Sequence, residues 1–239
     1  MATVGCTEPQ AGVTAAKYWC HAPATNPLPF LDDMEDGDNT TCTNRADGIV
    51  GGWHVRTTAS TVTVSTPSGA DIVTEADTND RRSTRAIHLA GTGMGTSTTP
   101  APVISASWAA VGINFGSTPI ALSASAVLTF YAKVGAGSGS GGEAARLRVN
   151  LITSATPDCD SDPSVPCTNH LSGQVNLTPD WTPFQVAAPF AAEDNSMPAE
   201  GDASTVSEIQ FRYSFGETAR QAPNPDTFDI WIDDVQLTP

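Results

Sequence analysis

Short runs of alternating apolar and polar residues, punctuated by glycine, proline, serine and threonine, recur along most of this chain. A period of two is that of a half-buried β-strand, because successive side chains point to opposite faces of a sheet. No stretch shows the Ala, Leu, Glu and Lys enrichment of a long helix. The pattern therefore predicts an all-β protein.

The alternation and its turn signals predict about eleven strands. They are Phe30–Met34, Gly52–Arg56, Thr61–Ser65, Arg85–Ala90, Val111–Phe115, Ala126–Val134, Arg146–Thr153, Gly173–Leu177, Thr182–Ala187, Glu208–Ser214 and Phe228–Leu237. Many short strands of this kind favour a two-sheet antiparallel β-sandwich, for which the jelly roll is a common closure. The Gly/Ser tract at 135–142 is interpreted as the turn of a hairpin, since both flanking strands carry matching alternation.

The chain has 239 residues, a length that a single all-β domain commonly reaches. Residues 1–28 are rich in Ala, Pro and Thr without a steady period, which indicates an extended N-terminal leader or linker. Residues 29–239 are predicted to form the sandwich. No apolar run approaches the roughly 18 residues of a membrane-spanning helix.

The charge balance argues against nucleic acid and anionic membranes as partners. Lys and Arg number 11 against 26 Asp and Glu, for a formal net charge of −15. Binding to nucleic acid or to an anionic membrane needs a basic surface. Neither is therefore expected as a partner.

Five cysteines indicate an oxidising, extracytoplasmic compartment, so we expect a secreted or cell-surface protein. Cys159 and Cys167 bracket a short, proline-containing polar loop and are predicted to form a disulfide. Cys20 and Cys42 are the next predicted pair, which leaves Cys6 unpaired. Three interpretations of Cys6 stay open: the lipidated terminus of a bacterial lipoprotein, a remnant of cloning, or a pair with Cys20.

Several segments form an ordered series. They are LDDMEDGD, GIVGGWHV, VLTFYAKVG, RLRVNLIT, the loop ending CTNH, VNLTPDWTPFQV and FDIWIDDVQL. Together they resemble the jelly-roll carbohydrate-binding modules that accompany bacterial polysaccharide-degrading enzymes, in particular the family-eleven type and related secreted modules. The resemblance spans roughly residues 29–238. It implies a noncatalytic sandwich that binds polysaccharide on one concave sheet and holds a structural Ca²⁺ ion. We expect a monomer, and an upstream enzyme or a lipid anchor stays open.

Acidic residues crowd the first and the last predicted strands. Ca²⁺ takes six to eight oxygen ligands, and two strands paired across the termini would supply several of them. Glu35, Asp233 and Asp234 are the leading predicted ligands, with Asp33 and Asp38 in reserve. The alternative is a solvated acidic edge without metal.

Strand parity predicts a polar face. If the central strands share one sheet, the residues that alternate with its core members are Asn114, Tyr131, Lys133, Arg148, Asn150, Gln210 and Arg212. Four of the 11 Lys and Arg residues fall on this face: Lys133, Arg146, Arg148 and Arg212. Such side chains suit sugar hydroxyls, and their charge also suits an anionic glycan. The alternative is the ordinary solvated side of a sandwich.

Sugars also need an aromatic face for their C–H-rich side, and Trp53, Trp108 and Tyr131 are the candidates. His170 lies near a loop end where it is expected to overhang the polar face, unless it merely decorates the surface. Trp181 and Trp231 lie within patterned strands and are interpreted as packing residues.

Two rival functions remain. A jelly-roll polysaccharide lyase would use Tyr131 or His170 as base, with Arg148 neutralising a uronate. A two-carboxylate glycoside hydrolase is the related possibility, whereas no G-x-S-x-G nucleophile turn occurs. A structural or adhesive surface protein, pairing with copies of itself or with other proteins, is the second rival.

Overall fold

The computed structural model describes residues 30–32, 34, 51–57, 63–64, 86–94, 109–116, 119–135, 145–155, 170–192, 201–214 and 226–238. The strands in these ranges are β1 (Phe30–Asp32), β2 (Gly52–Thr57), β3 (Thr63–Val64), β4 (Ile87–Met94), β5 (Ala109–Asn114), β6 (Val127–Val134), β7 (Arg146–Thr153), β8 (Leu171–Asn176), β9 (Thr182–Ala187), β10 (Ala191–Ala192), β11 (Val206–Ser214) and β12 (Asp226–Thr238). A single 3₁₀ turn among the described residues, Ala203–Thr205, precedes β11.

The strands form two antiparallel sheets. In sheet A the hydrogen-bonded order is β3-β4-β12-β6-β9, and β1 also pairs with β12. In sheet B the order is β10-β8-β7-β11-β5-β2. The chain crosses repeatedly between the two sheets, so the predicted all-β, two-sheet sandwich of jelly-roll type is confirmed.

The core lies between the sheets and follows the period-two pattern. Along β6 every second side chain is buried, including Leu128 and Phe130 from sheet A. Phe130 meets Phe211 of sheet B edge to face, with ring centroids 5.0 Å apart. Burial of each such side chain contributes about 1.5–3 kcal/mol to folding. The outer face of each sheet is the one turned away from this core.

The predicted strands correspond to those observed, with shifts of a few residues at several ends. The prediction missed β10, which is only two residues long. The hairpin predicted across 135–142 is wrong, because β6 belongs to sheet A and β7 to sheet B. Either arrangement buries one face of each strand, so alternation alone does not distinguish them.

Several predictions concern residues outside the described ranges. These are the leader 1–28, Trp108, the acidic residues Asp33, Glu35 and Asp38, and all five cysteines: Cys6, Cys20, Cys42, Cys159 and Cys167. Within the part of the chain that the structure describes, no helix has the length and hydropathy needed to cross a membrane.

Candidate functional site on the outer face of sheet B

The structure divides the predicted polar face between the two sheets. Tyr131 and Lys133 lie on β6 and belong to the outer face of sheet A. The other predicted members lie on β5, β7 and β11 and belong to sheet B: Asn114, Arg148, Asn150, Gln210 and Arg212. The prediction of one shared face is therefore wrong for Tyr131 and Lys133. Parity distinguishes the inner from the outer side of a strand but does not assign the strand to a sheet.

A row of side chains crosses the outer face of sheet B in register. Gly112 of β5 is the partner of both His54 on β2 and Gln210 on β11. Gln210 is in turn paired with Asn150 on β7, and Asn150 with Ser172 on β8. Directly opposed side chains in such pairs lie about 4.5–5.5 Å apart at their Cβ atoms. The row therefore joins five strands into one continuous polar strip.

The two amides at the centre of this row are buried, and three of their four polar atoms have no hydrogen-bond partner among the described residues. Asn150 is fully buried and Gln210 is 3% exposed, although both point away from the sandwich core. Within the described part of the chain, neither Nδ2 nor Oδ1 of Asn150 has a hydrogen-bond partner, and the same is true of Nε2 of Gln210. A buried polar atom in this condition costs about 1–3 kcal/mol, so natural proteins seldom keep one without a functional reason.

Gly112 makes room for a second pair of functional groups. A Cβ atom at this position would lie 2.6 Å from Oε1 of Glu208 and 3.1 Å from Cε1 of His54. These two side chains therefore extend across the glycine, and Nε2 of His54 lies 3.0 Å from Oε1 of Glu208. Glu208 is 2% exposed and was missed in the sequence, although its spacing of two from Gln210 places it on the same face.

An arginine pair lies one row further along the sheet. Arg212 on β11 is in register with Arg148 on β7, and both are half-buried. Gln174 on β8, the next partner of Arg148, is exposed. The outer face thus changes from an enclosed amide row to a more accessible cationic row.

The outer face of sheet A carries an aromatic row that the sequence interpretation did not anticipate. His88, Trp231 and Lys133 are register partners on β4, β12 and β6. The rings of His88 and Trp231 stack 3.9 Å apart, while Nζ of Lys133 lies 5.3 Å from the Trp231 centroid and 5.2 Å from that of Trp181. Because the ring faces already contact one another and the lysine, this row is a packing feature, as expected for the two tryptophans.

Asp229 completes the aromatic row. Its Oδ1 lies 2.7 Å from Nε2 of His88. This hydrogen bond holds the pKa of Asp229 below its ordinary value of 3.8, against the opposing effect of partial burial. The carboxylate therefore fixes the orientation of His88 beside Trp231.

Two other residues predicted to contact sugar, Trp53 and His170, are buried. Trp53 is only 6% exposed and stacks against Phe211 in the core, so the prediction that it offers a face to sugar is wrong. Its neighbour across the sheet, Ile113, is also a core residue, which places the indole inside. His170 is 5% exposed and does not overhang the face as an accessible side chain.

The predicted calcium residues are only partly described. β1 and β12 do pair, with Asp32 opposite Val235. Asp233 is buried and its Oδ1 accepts the backbone N–H of Asp234, which has a φ of 50°. Among the described residues, no group of three or more His, Cys, Asp or Glu side chains is arranged to hold a metal ion. Asp233 and Asp234, the described members of the predicted ligand set, therefore do not form a metal site with other described residues.

Comparison with known proteins gives structural neighbours only. No protein-family model matches the sequence. No curated protein matches it either. A family 11 carbohydrate-binding module from Clostridium thermocellum, solved with a β-1,3-1,4-mixed-linked tetrasaccharide, is 14% identical with a TM-score of 0.47, over 77% of this chain and 87% of that one.

Two further solved structures have lower scores. The family 11 module of the cellulosomal cellulase Lic26A-Cel5E, also from Clostridium thermocellum, is 13% identical with a TM-score of 0.45, over 77% of this chain and 86% of the module. The glycoside hydrolase domain of Endo-D from Streptococcus pneumoniae R6 is 10% identical with a TM-score of 0.42, over 78% of this chain and 21% of that one. The two modules carry the name of the family that the sequence resembles.

Proposed function

We propose that the outer face of sheet B binds polysaccharide without cleaving it. The observation that carries this proposal is the buried pair of amides, Asn150 and Gln210: among the described residues, Nδ2 and Oδ1 of Asn150 and Nε2 of Gln210 have no hydrogen-bond partner. Both amides are covered in the free protein, so binding requires that the neighbouring side chains move aside. A sugar hydroxyl then both donates and accepts hydrogen bonds, and it satisfies an amide N–H and an amide carbonyl alike. The resemblance seen in the sequence supports the same conclusion.

The arginine pair supports an anionic glycan as the ligand. A guanidinium group makes two parallel hydrogen bonds to a carboxylate, and Arg148 and Arg212 present two such groups side by side. On a chain of net charge −15, the pair also forms a local positive region that would attract such a ligand.

The chemistry of this face favours binding over glycoside hydrolysis. A hydrolase of the usual kind needs two carboxyl groups on either side of the scissile bond. Along the described strands of sheet B, Glu208 is the one carboxylate on the outer face, and it is engaged with His54. The remaining groups there are amides, guanidinium groups and hydroxyls, which hold a sugar but do not activate water.

The sharpest test replaces each amide by an apolar residue of similar shape. Because the amides lack partners in the free protein, we expect Asn150→Leu and Gln210→Met to leave the melting temperature unchanged or raised. The same changes are expected to weaken glycan binding by about one to two orders of magnitude. A glycan array identifies a ligand, and titration calorimetry then compares the variants. Unchanged affinity in both variants would reject this face as the site.

One observation favours a second function, that of a polysaccharide lyase. His54 has a carboxylate partner in Glu208, which is how a general base is held in place. Of the two bases that the sequence predicts for a lyase, Tyr131 lies on the other sheet from Arg148 and His170 is buried. Incubation with uronate polymers, monitored for the absorbance of unsaturated products, tests this function. Product formation that His54→Ala abolishes would establish the lyase and overturn noncatalytic binding.

We also propose a structural Ca²⁺ ion where β1 pairs with β12. Asp233 and Asp234 lie there, and the remaining expected ligands, Asp33, Glu35 and Asp38, lie outside the described residues. The ion would neutralise carboxylates that otherwise repel one another. The expected location of the protein is extracytoplasmic, either secreted or on the cell surface.

A further inference from the structure

One end of the sandwich contains a cavity of about 430 Å³. It lies between the segment that precedes β6, the connection from β9 to β10, and the residues that precede β11. Leu122 donates its backbone N–H to the carbonyl of Ala203, and Ala188 donates to the carbonyl of Ala126, both at 2.8 Å. These bonds hold the walls together, so the cavity is preformed. Its volume falls within the range of ligand pockets, about 300–1,000 Å³.

A close backbone approach closes one side of the cavity. A Cβ atom at Gly201 would lie 2.8 Å from Cγ of Leu171, so only glycine allows this approach without displacement of the leucine. Leu171 and Leu122 belong to the core and form an apolar floor. Phe190 and Pro189 add a partly exposed apolar wall. The cavity thus presents an apolar surface at a site that solvent reaches.

The polar rim of the cavity is organised around Asp202. Its Oδ1 accepts hydrogen bonds from the backbone N–H of Ser204 at 2.9 Å and from the Ser204 hydroxyl at 2.7 Å. These bonds lower the pKa of Asp202, so the side chain is ionised at neutral pH. Oδ2 accepts no hydrogen bond from the described residues and is oriented by the bonds to Oδ1. The rim therefore offers a fixed acceptor next to the apolar wall.

We propose that this cavity binds a single neutral sugar unit, at a site separate from the outer face of sheet B. A pyranose ring has one C–H-rich face, which suits the ring of Phe190, and hydroxyls at its edge, which suit Oδ2 of Asp202. No Lys, Arg or His lines the cavity among the described residues, and Asp202 is negative. The cavity therefore discriminates against uronates, whereas the arginine pair on sheet B favours them.

Nuclear magnetic resonance with ¹⁵N-labelled full chain tests the proposal. The probes are D-glucose, D-galactose, D-mannose and N-acetyl-D-glucosamine, with D-glucuronate as the anionic comparison. We expect at least one neutral sugar to shift the amide signals of Ser123, Asp202 and Ser204, and D-glucuronate to leave them in place. The absence of shifts at the cavity with all four neutral sugars would overturn the proposal.

Matched variants separate the cavity from the sheet. Asp202→Asn keeps the oxygen that caps the turn but removes the charge, and we expect it to weaken sugar binding about tenfold. Asp180→Asn, at an exposed turn away from the cavity, is the control and is expected to bind as wild type does. Gln210→Met changes sheet B and not the cavity. We therefore expect this variant to bind the neutral sugar as wild type does, whether or not sheet B binds polysaccharide. Equal weakening by Asp180→Asn, or wild-type affinity in Asp202→Asn, would contradict the assignment.

Discussion

Trp53 donates its indole N–H to Oδ2 of Asp32 at 2.7 Å and so connects sheet B to sheet A through the interior. Asp32 is fully buried, and its other oxygen accepts the backbone N–H of Met34 at 2.8 Å. Met34 has a φ of 59°, so the same carboxylate also holds an unusual backbone conformation. The contact explains why a tryptophan on β2 faces the core and not a ligand.

The first prediction concerns this contact. Trp53→Phe preserves most of the ring packing but removes one hydrogen-bond donor from a buried carboxylate, so we expect a loss of about 1.5–3 kcal/mol in the free energy of unfolding. Chemical denaturation measures the loss. In the Asp32→Asn background the same change should cost less, because the interaction is already altered. Equal costs in both backgrounds would show that the charge of Asp32 does not strengthen the hydrogen bond.

The sequence pattern was sufficient to predict the strands and, for most of them, to predict which side chains face the core. The apolar pattern of β7 and β9 gave their observed bounds, although β7 buries both faces from Val149 onward. It did not assign β6 to sheet A, since a strand in either sheet shows the same alternation. That information resides in long-range pairing, such as Lys133 opposite Trp231.

The candidate site was predictable only in part for a related reason. Asn150 and Gln210 were identified from parity, but their complete burial on an outer face has no counterpart in the sequence pattern. Glu208 shares that parity, yet it acquires a role only through His54 on another strand and the missing side chain at Gly112. Such relations depend on strand register, which local composition does not encode.

The second prediction concerns acid. The pKa of Asp229 is lower in the folded protein than its ordinary value of 3.8, mainly because of the hydrogen bond from His88. Its ionised form therefore stabilises the fold above that pH, and the contribution is lost as the pH falls from 3.8 through the lower folded value. We expect the melting temperature of wild type to fall more steeply in this window than that of Asp229→Asn. Parallel curves would contradict the prediction.

The third prediction concerns metal. When Ca²⁺ is present at a hundredfold excess over its dissociation constant, its removal should lower the free energy of unfolding by about 2.7 kcal/mol. We expect EGTA to lower the melting temperature and added Ca²⁺ to restore it, while Mg²⁺ does not. In Asp234→Ala the effect of EGTA should be smaller. A melting temperature unaffected by EGTA, together with no metal in the purified protein, would exclude the ion.

The last prediction decides which sheet binds glycan. Arg148→Ala and Arg212→Ala should each weaken binding by about one to two orders of magnitude, because each removes a charged hydrogen-bonding partner of the ligand. Both side chains point away from the core, so the melting temperature should change little.

Lys133→Ala is the matched control: it removes a cation from the outer face of sheet A and should leave the affinity unchanged. If the ligand is a uronate polymer, raising the salt concentration should weaken wild-type binding and have less effect on the arginine variants. Calorimetry that finds the loss in Lys133→Ala instead would move the binding surface to sheet A and its aromatic row.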